Sequence, residues 1–187
     1  MPAAHATTIS AALKKRAAKI KVVLMDVDGT ITDGSVTLLS RPDGSALEIK
    51  TFDAHDGQGI SLARTAGLRM GVITGRESAA LRRRMKELNV EFVYEKQPHK
   101  IAAYEEVLEK AGVSEDEVAF LGDDLPDLTV MKRVGLAVAV GNAAPEVKQA
   151  AHYTTVRNGG KGAARELVEL ILKSKGTWEE MIDKARA

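Results

Sequence analysis

The stretch Leu24-Met25-Asp26-Val27-Asp28-Gly29-Thr30 sets the tightest limit on what this chain can become. An apolar run, Val22 to Met25, stops at an aspartate, and a second aspartate, a glycine and a threonine follow. Such a run predicts a short strand buried on both faces of a parallel sheet. Gly29 supplies the turn that ends it. In extended backbone Asp26 and Asp28 leave on the same side. Two carboxylates at the mouth of a buried strand repel each other unless a cation or a shared proton relieves them. An aspartate-rich turn would give the same letters, so the rest of the chain has to decide.

The 187 residues suit one domain with a sizeable core. Lys and Arg number 27 against 26 Asp and Glu, a net charge of +1. That balance offers neither a basic field for nucleic acid nor an acidic tail. The chain has no cysteine, which excludes disulfide and thiolate chemistry and suits a reducing, cytoplasmic compartment. No apolar stretch approaches the ~20 residues of a transmembrane helix, so no membrane role is expected. The first 25 residues hold no acid. They lack the apolar core of a secretory signal and read as a basic, alanine-rich helix rather than a transit peptide.

Taken in order, Thr8 to Ala18 predicts a helix with Ile9, Leu13 and Ala17 on one stripe. After the strand Lys21 to Val27, two β-prone runs, Val36 to Ser40 and Ala46 to Phe52, flank Pro42-Asp43-Gly44 and predict a hairpin. Leu47, Ile49 and Thr51 take one of its faces, Glu48, Lys50 and Phe52 the other. Helices are expected over Gly57 to Ala66, Glu77 to Leu88, Pro98 to Ala111, Leu125 to Val134, Pro145 to Ala151, and from the Gly159-Gly160-Lys161-Gly162 loop to Lys173. Strands are expected over Leu68 to Thr74, Glu91 to Tyr94, Val118 to Leu121, Leu136 to Val140 and Tyr153 to Val156. This alternation predicts a doubly wound, Rossmann-like α/β fold with a parallel sheet, interrupted by the hairpin at 34–52. Residues 1–20 and 174–187 are read as an N-terminal extension and a C-terminal tail of the same domain.

In an open parallel sheet, ligands bind beyond the carboxyl ends of the strands. Three apolar runs end there in polar residues: Asp26-x-Asp28, Thr74, and Asp123-Asp124. An all-oxygen set of carboxylates suits Mg²⁺. Lys100, near the start of the helix after the third strand, falls at the same crest. Phosphoryl transfer through an aspartyl-phosphate needs such a set. One carboxylate attacks phosphorus, and a second acid serves the leaving alcohol and then water. A hydroxyl and an ammonium hold the phosphoryl oxygens.

Asp26-Val27-Asp28-Gly29-Thr30, Thr74 in Ile73-Thr74-Gly75-Arg76, Lys100, and Gly122-Asp123-Asp124-Leu125-Pro126-Asp127 resemble, in order, the four motifs of the haloacid-dehalogenase superfamily. The resemblance implies Asp26 as nucleophile and Asp28 as general acid and base. It implies Asp26, the Asp28 backbone carbonyl and Asp123 around Mg²⁺, with Asp124 nearby as a further ligand. Thr74, Gly75 and Lys100 would receive the phosphoryl group, and Asp127 would orient the loop or Lys100. The hairpin, the segment Phe52 to Ile60 and the late glycine loop resemble one branch, the 3-deoxy-D-manno-octulosonate 8-phosphate phosphatases with the related nonulosonate 9-phosphate phosphatases. Thr30 departs from the valine common in that branch. The branch implies no cap domain, and a homotetramer in which one hairpin helps close a neighbour's site. It also implies a sugar-acid phosphate substrate serving lipopolysaccharide or another acidic-sugar pathway.

Three further features have two readings each. Arg76 either binds substrate or is a surface arginine at a helix start. His99 either contacts substrate or is an exposed first-turn residue, and Arg157 and Lys161 are further cations expected near the phosphate pocket. The Gly159 to Gly162 loop either presents N–H groups to an anion or is an ordinary turn and cap. Trp178 and the tail are read as packing or loose terminus. A phospho-acceptor signalling domain uses similar groups, but Asp28 and the hairpin argue against it.

Overall fold

The computed structural model describes residues 9–186; Thr8, the expected start of the first helix, lies outside them. In chain order the elements are α1 (Ala11–Lys19), β1 (Val22–Met25), the hairpin β2 (Thr37–Ser40) and β3 (Ala46–Ile49), α2 (Ala54–Thr65), β4 (Arg69–Ile73), α3 (Ala79–Glu87) and β5 (Phe92–Tyr94). There follow α4 (Ile101–Ala111), β6 (Val118–Gly122), α5 (Leu128–Met131), β7 (Leu136–Ala139), α6 (Pro145–Ala150), β8 (Tyr153–Thr154), α7 (Ala163–Lys175) and α8 (Trp178–Arg186).

The main sheet is parallel throughout, in the order β5-β4-β1-β6-β7-β8. β1 is buried at every position and lies between β4 and β6, where the winding of the sheet reverses. A crevice forms at such a reversal. Met25 stands opposite Val72 on one side and Leu121 on the other. The register thus brings Asp26, Thr74 and Asp123 to one edge. The hairpin stands apart as a two-stranded ribbon. Among the described residues no other interruption is long enough to build a cap domain.

Local chemistry sets the helix ends. Ser10 caps α1 by accepting the Leu13 N–H, and Asp53 caps α2 through the N–H groups of His55 and Asp56. That cap starts α2 three residues before the expected Gly57. Gly112 ends α4 in the left-handed conformation.

Two expected helices are shorter than the pattern suggests. Leu125 to Val134 begins as a 3₁₀ turn over Leu125–Asp127, and α5 is a single turn from Leu128 to Met131. The Asp127 side chain folds back to the backbone of Asp123 and Asp124, which tightens that start. Pro98 and His99 lie ahead of α4, because the Gln97 N–H is held by the Thr74 carbonyl and Lys100 stands at the N-cap. At the other end, the tail after Gly176 forms α8. Trp178 packs beneath Arg165 and Lys173, whose charges lie 5.2 and 5.0 Å from its ring centre.

Candidate active site

Asp26 follows β1 directly, and its N–H is held by the Leu121 carbonyl at 2.9 Å. Lys100 Nζ reaches across from the start of α4 and donates to Asp26 Oδ1, and to Asp127 Oδ1 at 2.6 Å. All three side chains are buried. Asp127 Oδ2 accepts the N–H groups of Asp123 and Asp124 at 2.9 and 3.2 Å. One carboxylate therefore fixes both Lys100 and the loop after β6. Gly122 makes room for it, since a Cβ there would lie 2.5 Å from Asp127 Oδ2.

Gly29 has φ +97°, and a Cβ on it would lie 2.1 Å from Asp123 Oδ2. The turn after β1 can thus close against the acid after β6 only with glycine. Thr30 donates its hydroxyl to Asp123 Oδ1 at 2.8 Å. Buried Thr74 follows β4 directly, and its Oγ accepts the Arg76 N–H at 3.3 Å.

These groups surround a cavity of about 300 Å³ lined by Asp26, Asp28, Thr74, Gly75, Arg76, Lys100 and the Asp123 to Asp127 loop, with Gln97 and Pro98 on one wall. Asp124 lines it from an exposed position, with its carboxylate accepting the Leu125 N–H. His99 is exposed and is not among the lining residues. Arg157 and Lys161 also stand outside this wall.

Charge in the cavity is under tension. Burial pushes the Asp26 carboxyl up to about 7; Lys100 opposes this, while Asp127 and Asp123 add to it. Burial likewise takes Asp123 up to about 6, against the Thr30 hydrogen bond and with help from Asp127 and Asp124. Carboxylate oxygens of Asp26, Asp123 and Asp127 come within 4.8 Å of one another. An all-oxygen, electron-rich cluster, in which burial holds Asp26 and Asp123 back from ionising, is the donor set for a hard divalent cation. Asp127 has both oxygens committed to protein donors, which leaves Asp26 and Asp123 as the freer pair.

Sequence reasoning missed two partners and left a third open. Lys50 donates to Asp28 Oδ1, and Glu48 accepts from Arg76. Their alternation in the hairpin placed both on one face, and that was the available signal. The glycine loop before α7 does hold an anion, supplied by the chain itself. Buried Asp56 of α2 accepts the N–H groups of Gly162 and Arg165 at 3.1 and 2.9 Å. The same loop braces the turn after β1, with the Gly160 N–H on the Thr30 carbonyl at 2.9 Å.

Two aspartates two residues apart after β1, a threonine after β4, a lysine at the start of α4 and an acidic loop after β6, gathered at one crest of a doubly wound sheet, define the class of haloacid dehalogenase-like hydrolases. A family model of that description matches residues 91–167. A 3-deoxy-D-manno-octulosonate 8-phosphate phosphatase of Escherichia coli is 36% identical over 172 residues, spanning 92% of this chain and 89% of its own. The crystal structure of a probable YrbI family phosphatase from Pseudomonas syringae superposes with a TM-score of 0.88 at 42% identity, covering 95% of this chain and 99% of that one. The Moraxella catarrhalis 3-deoxy-D-manno-octulosonate 8-phosphate phosphatase, solved with magnesium, phosphate and KDO, superposes with a TM-score of 0.86 at 34% identity over 92% and 97% of the two chains. The chain belongs to the haloacid dehalogenase-like hydrolases, in the family of the 3-deoxy-D-manno-octulosonate 8-phosphate phosphatases.

Proposed function

We propose that this chain is a Mg²⁺-dependent phosphomonoesterase that hydrolyses 3-deoxy-D-manno-octulosonate 8-phosphate to the sugar acid and phosphate. The observation that carries this reading is the convergence of Asp26, Asp28, Thr74 and Lys100 on one cavity, with Asp123 opposite. Asp26 attacks phosphorus and becomes the aspartyl-phosphate. Lys100, already on Asp26, orients that carboxylate and meets a phosphoryl oxygen, and the Thr74 hydroxyl meets another. Asp28 gives a proton to the departing sugar oxygen and later takes one from the water that frees Asp26. Asp26, the Asp28 carbonyl and Asp123 would hold the ion, with Asp124 beside them. When bound, Mg²⁺ offsets the repulsion between the attacking carboxylate and the phosphate.

Arg76 on the cavity wall suits a substrate that carries a carboxylate as well as a phosphate. The whole chain serves as one phosphatase domain. It works as a homotetramer in the cytoplasm, on a sugar acid destined for lipopolysaccharide. Support for assembly comes from the hairpin, where Val36, Leu38, Leu39, Leu47 and Ile49 are all exposed. No helix among the described residues is long and apolar enough to cross a membrane.

The test is phosphate release with Mg²⁺ across a panel of sugar phosphates, alongside light scattering. The octulosonate 8-phosphate should give the highest kcat/KM, above a nonulosonate 9-phosphate and well above neutral hexose phosphates. A neutral hexose phosphate as the best substrate would overturn the substrate assignment, and a monomer in solution would overturn the assembly.

A further inference from the structure

Glu48 in β3 and Lys50 just after it share one face of the hairpin. With Asp28 and Arg76 they close a ring of alternating charge. Lys50 Nζ donates to Asp28 Oδ1. Asp28 Oδ2 lies 3.8 Å from Arg76 Nε. Arg76 donates to Glu48 Oε1 at 2.5 Å, and that oxygen stands 3.6 Å from Lys50 Nζ. The ring joins the hairpin to the loops after β1 and β4 of the same chain.

Its members differ in exposure. The Lys50 side chain is 3% exposed and Asp28 22%, whereas Arg76 is 46% exposed. A buried ammonium is costly unless paired, so Lys50 is tied to its carboxylates. Asp28 lines the cavity and Lys50 does not. Lys50 therefore acts on the reaction through the carboxylates it pairs with, and of these Asp28 lines the cavity.

We propose that Lys50 is a positioning residue for this chain's own active site. It fixes Oδ1 of Asp28 and leaves Oδ2, the oxygen without a hydrogen bond in the ring, to serve the leaving group. Glu48 does the matching work for Arg76, keeping the guanidinium beside the phosphoryl pocket. The hairpin thereby contributes to the site of the subunit that carries it, besides any part it plays at a neighbour's. This assignment rests on the reading of Asp28 as acid and base. It adds a residue at a distance from the substrate on which the aim of Asp28 depends.

Leaving-group chemistry provides the test. An alkyl oxygen departs only when protonated, while 4-nitrophenolate departs without a proton. Single-turnover rates and steady-state kcat and KM with Mg²⁺ are measured for the octulosonate phosphate and for 4-nitrophenyl phosphate, using the unaltered chain, Lys50→Met, Lys50→Arg and Glu48→Gln. Lys50→Met should slow the sugar ester about tenfold or more beyond any effect on the aryl ester. Lys50→Arg should restore most of the difference, and Glu48→Gln should raise KM for the sugar ester more than it lowers kcat. Equal losses on both esters, or an unchanged sugar-ester rate in Lys50→Met, overturn the proposal. If the unaltered chain prefers another sugar phosphate, that corrects the substrate assignment alone. The same ratio, taken with that ester, still decides on Lys50.

Discussion

The Thr30 hydroxyl donates a 2.8 Å hydrogen bond to Asp123 Oδ1, joining the turn after β1 to the acidic loop after β6. The two residues are far apart in sequence and belong to different motifs. The bond holds Asp123 in one orientation and favours its ionised form against burial. Thr30→Val keeps the volume and removes the donor. The variant should still turn over at saturating Mg²⁺, with half-saturation moved several-fold higher, as expected for the hydrogen-bond partner of a proposed metal ligand. A Mg²⁺ titration of phosphate release measures this, and an unchanged half-saturation would count against it.

Asp26→Asn removes the proposed nucleophile but keeps its shape. Lys100 retains Asp127 as a partner, so the buried ammonium is not orphaned. Turnover should fall by roughly 10³-fold or more while the far-ultraviolet spectrum stays unchanged. In the unaltered protein, chelation should stop turnover and added Mg²⁺ should restore it. Substantial hydrolysis by Asp26→Asn would remove the covalent mechanism.

Proton and metal compete at this crest. Folding raises the Asp26 and Asp123 carboxyls to about 7 and about 6, from 3.8. For an acid raised in the folded state, the metal-free fold loses stability as pH climbs through that range, because the unfolded chain ionises first. Above the range the ionised pair is ready for a cation. Mg²⁺ should therefore raise the melting temperature much more at about pH 8 than at about pH 5.5. Calorimetry with and without Mg²⁺ checks this; an equal shift at both values would contradict it.

The glycine loop before α7 is a tight fit. A Cβ on Gly159 would lie 1.7 Å from the Gly29 carbonyl oxygen, in the turn that follows Asp26 and Asp28. Backbone cannot move aside as a side chain can. Gly159→Ala should destabilise the fold by about 1–3 kcal/mol or more. It should also lower kcat, because the turn after β1 must shift. Denaturant unfolding and steady-state assays read the two effects. A stable, fully active Gly159→Ala would refute the close approach.

Much of this was legible because a buried strand announces itself by apolar letters and its end by a polar one. Asp26, Thr74 and Asp123 were each found that way, and the alternation of strands and helices gave the sheet. Lys100 followed from the place of its helix. Contacts made across the fold left no such trace. Nothing near Lys50 in the sequence points to Asp28, and nothing near Asp56 points to Gly162. The short α5 was misread for a related reason. Leu125 to Val134 has helical periodicity, but Asp127 turns back on its own loop to hold Lys100, and that long-range demand tightens the start of the helix.

An anion-releasing enzyme has reason to keep stray phosphate from settling elsewhere on its surface. The amino-terminal end of α7 would be such a harbour, with free N–H groups and a favourable dipole. Asp56 is already moored there, a built-in counter-anion donated from α2. The berth is closed to product, and its pull is turned inward to draw α2 onto α7 behind the sheet.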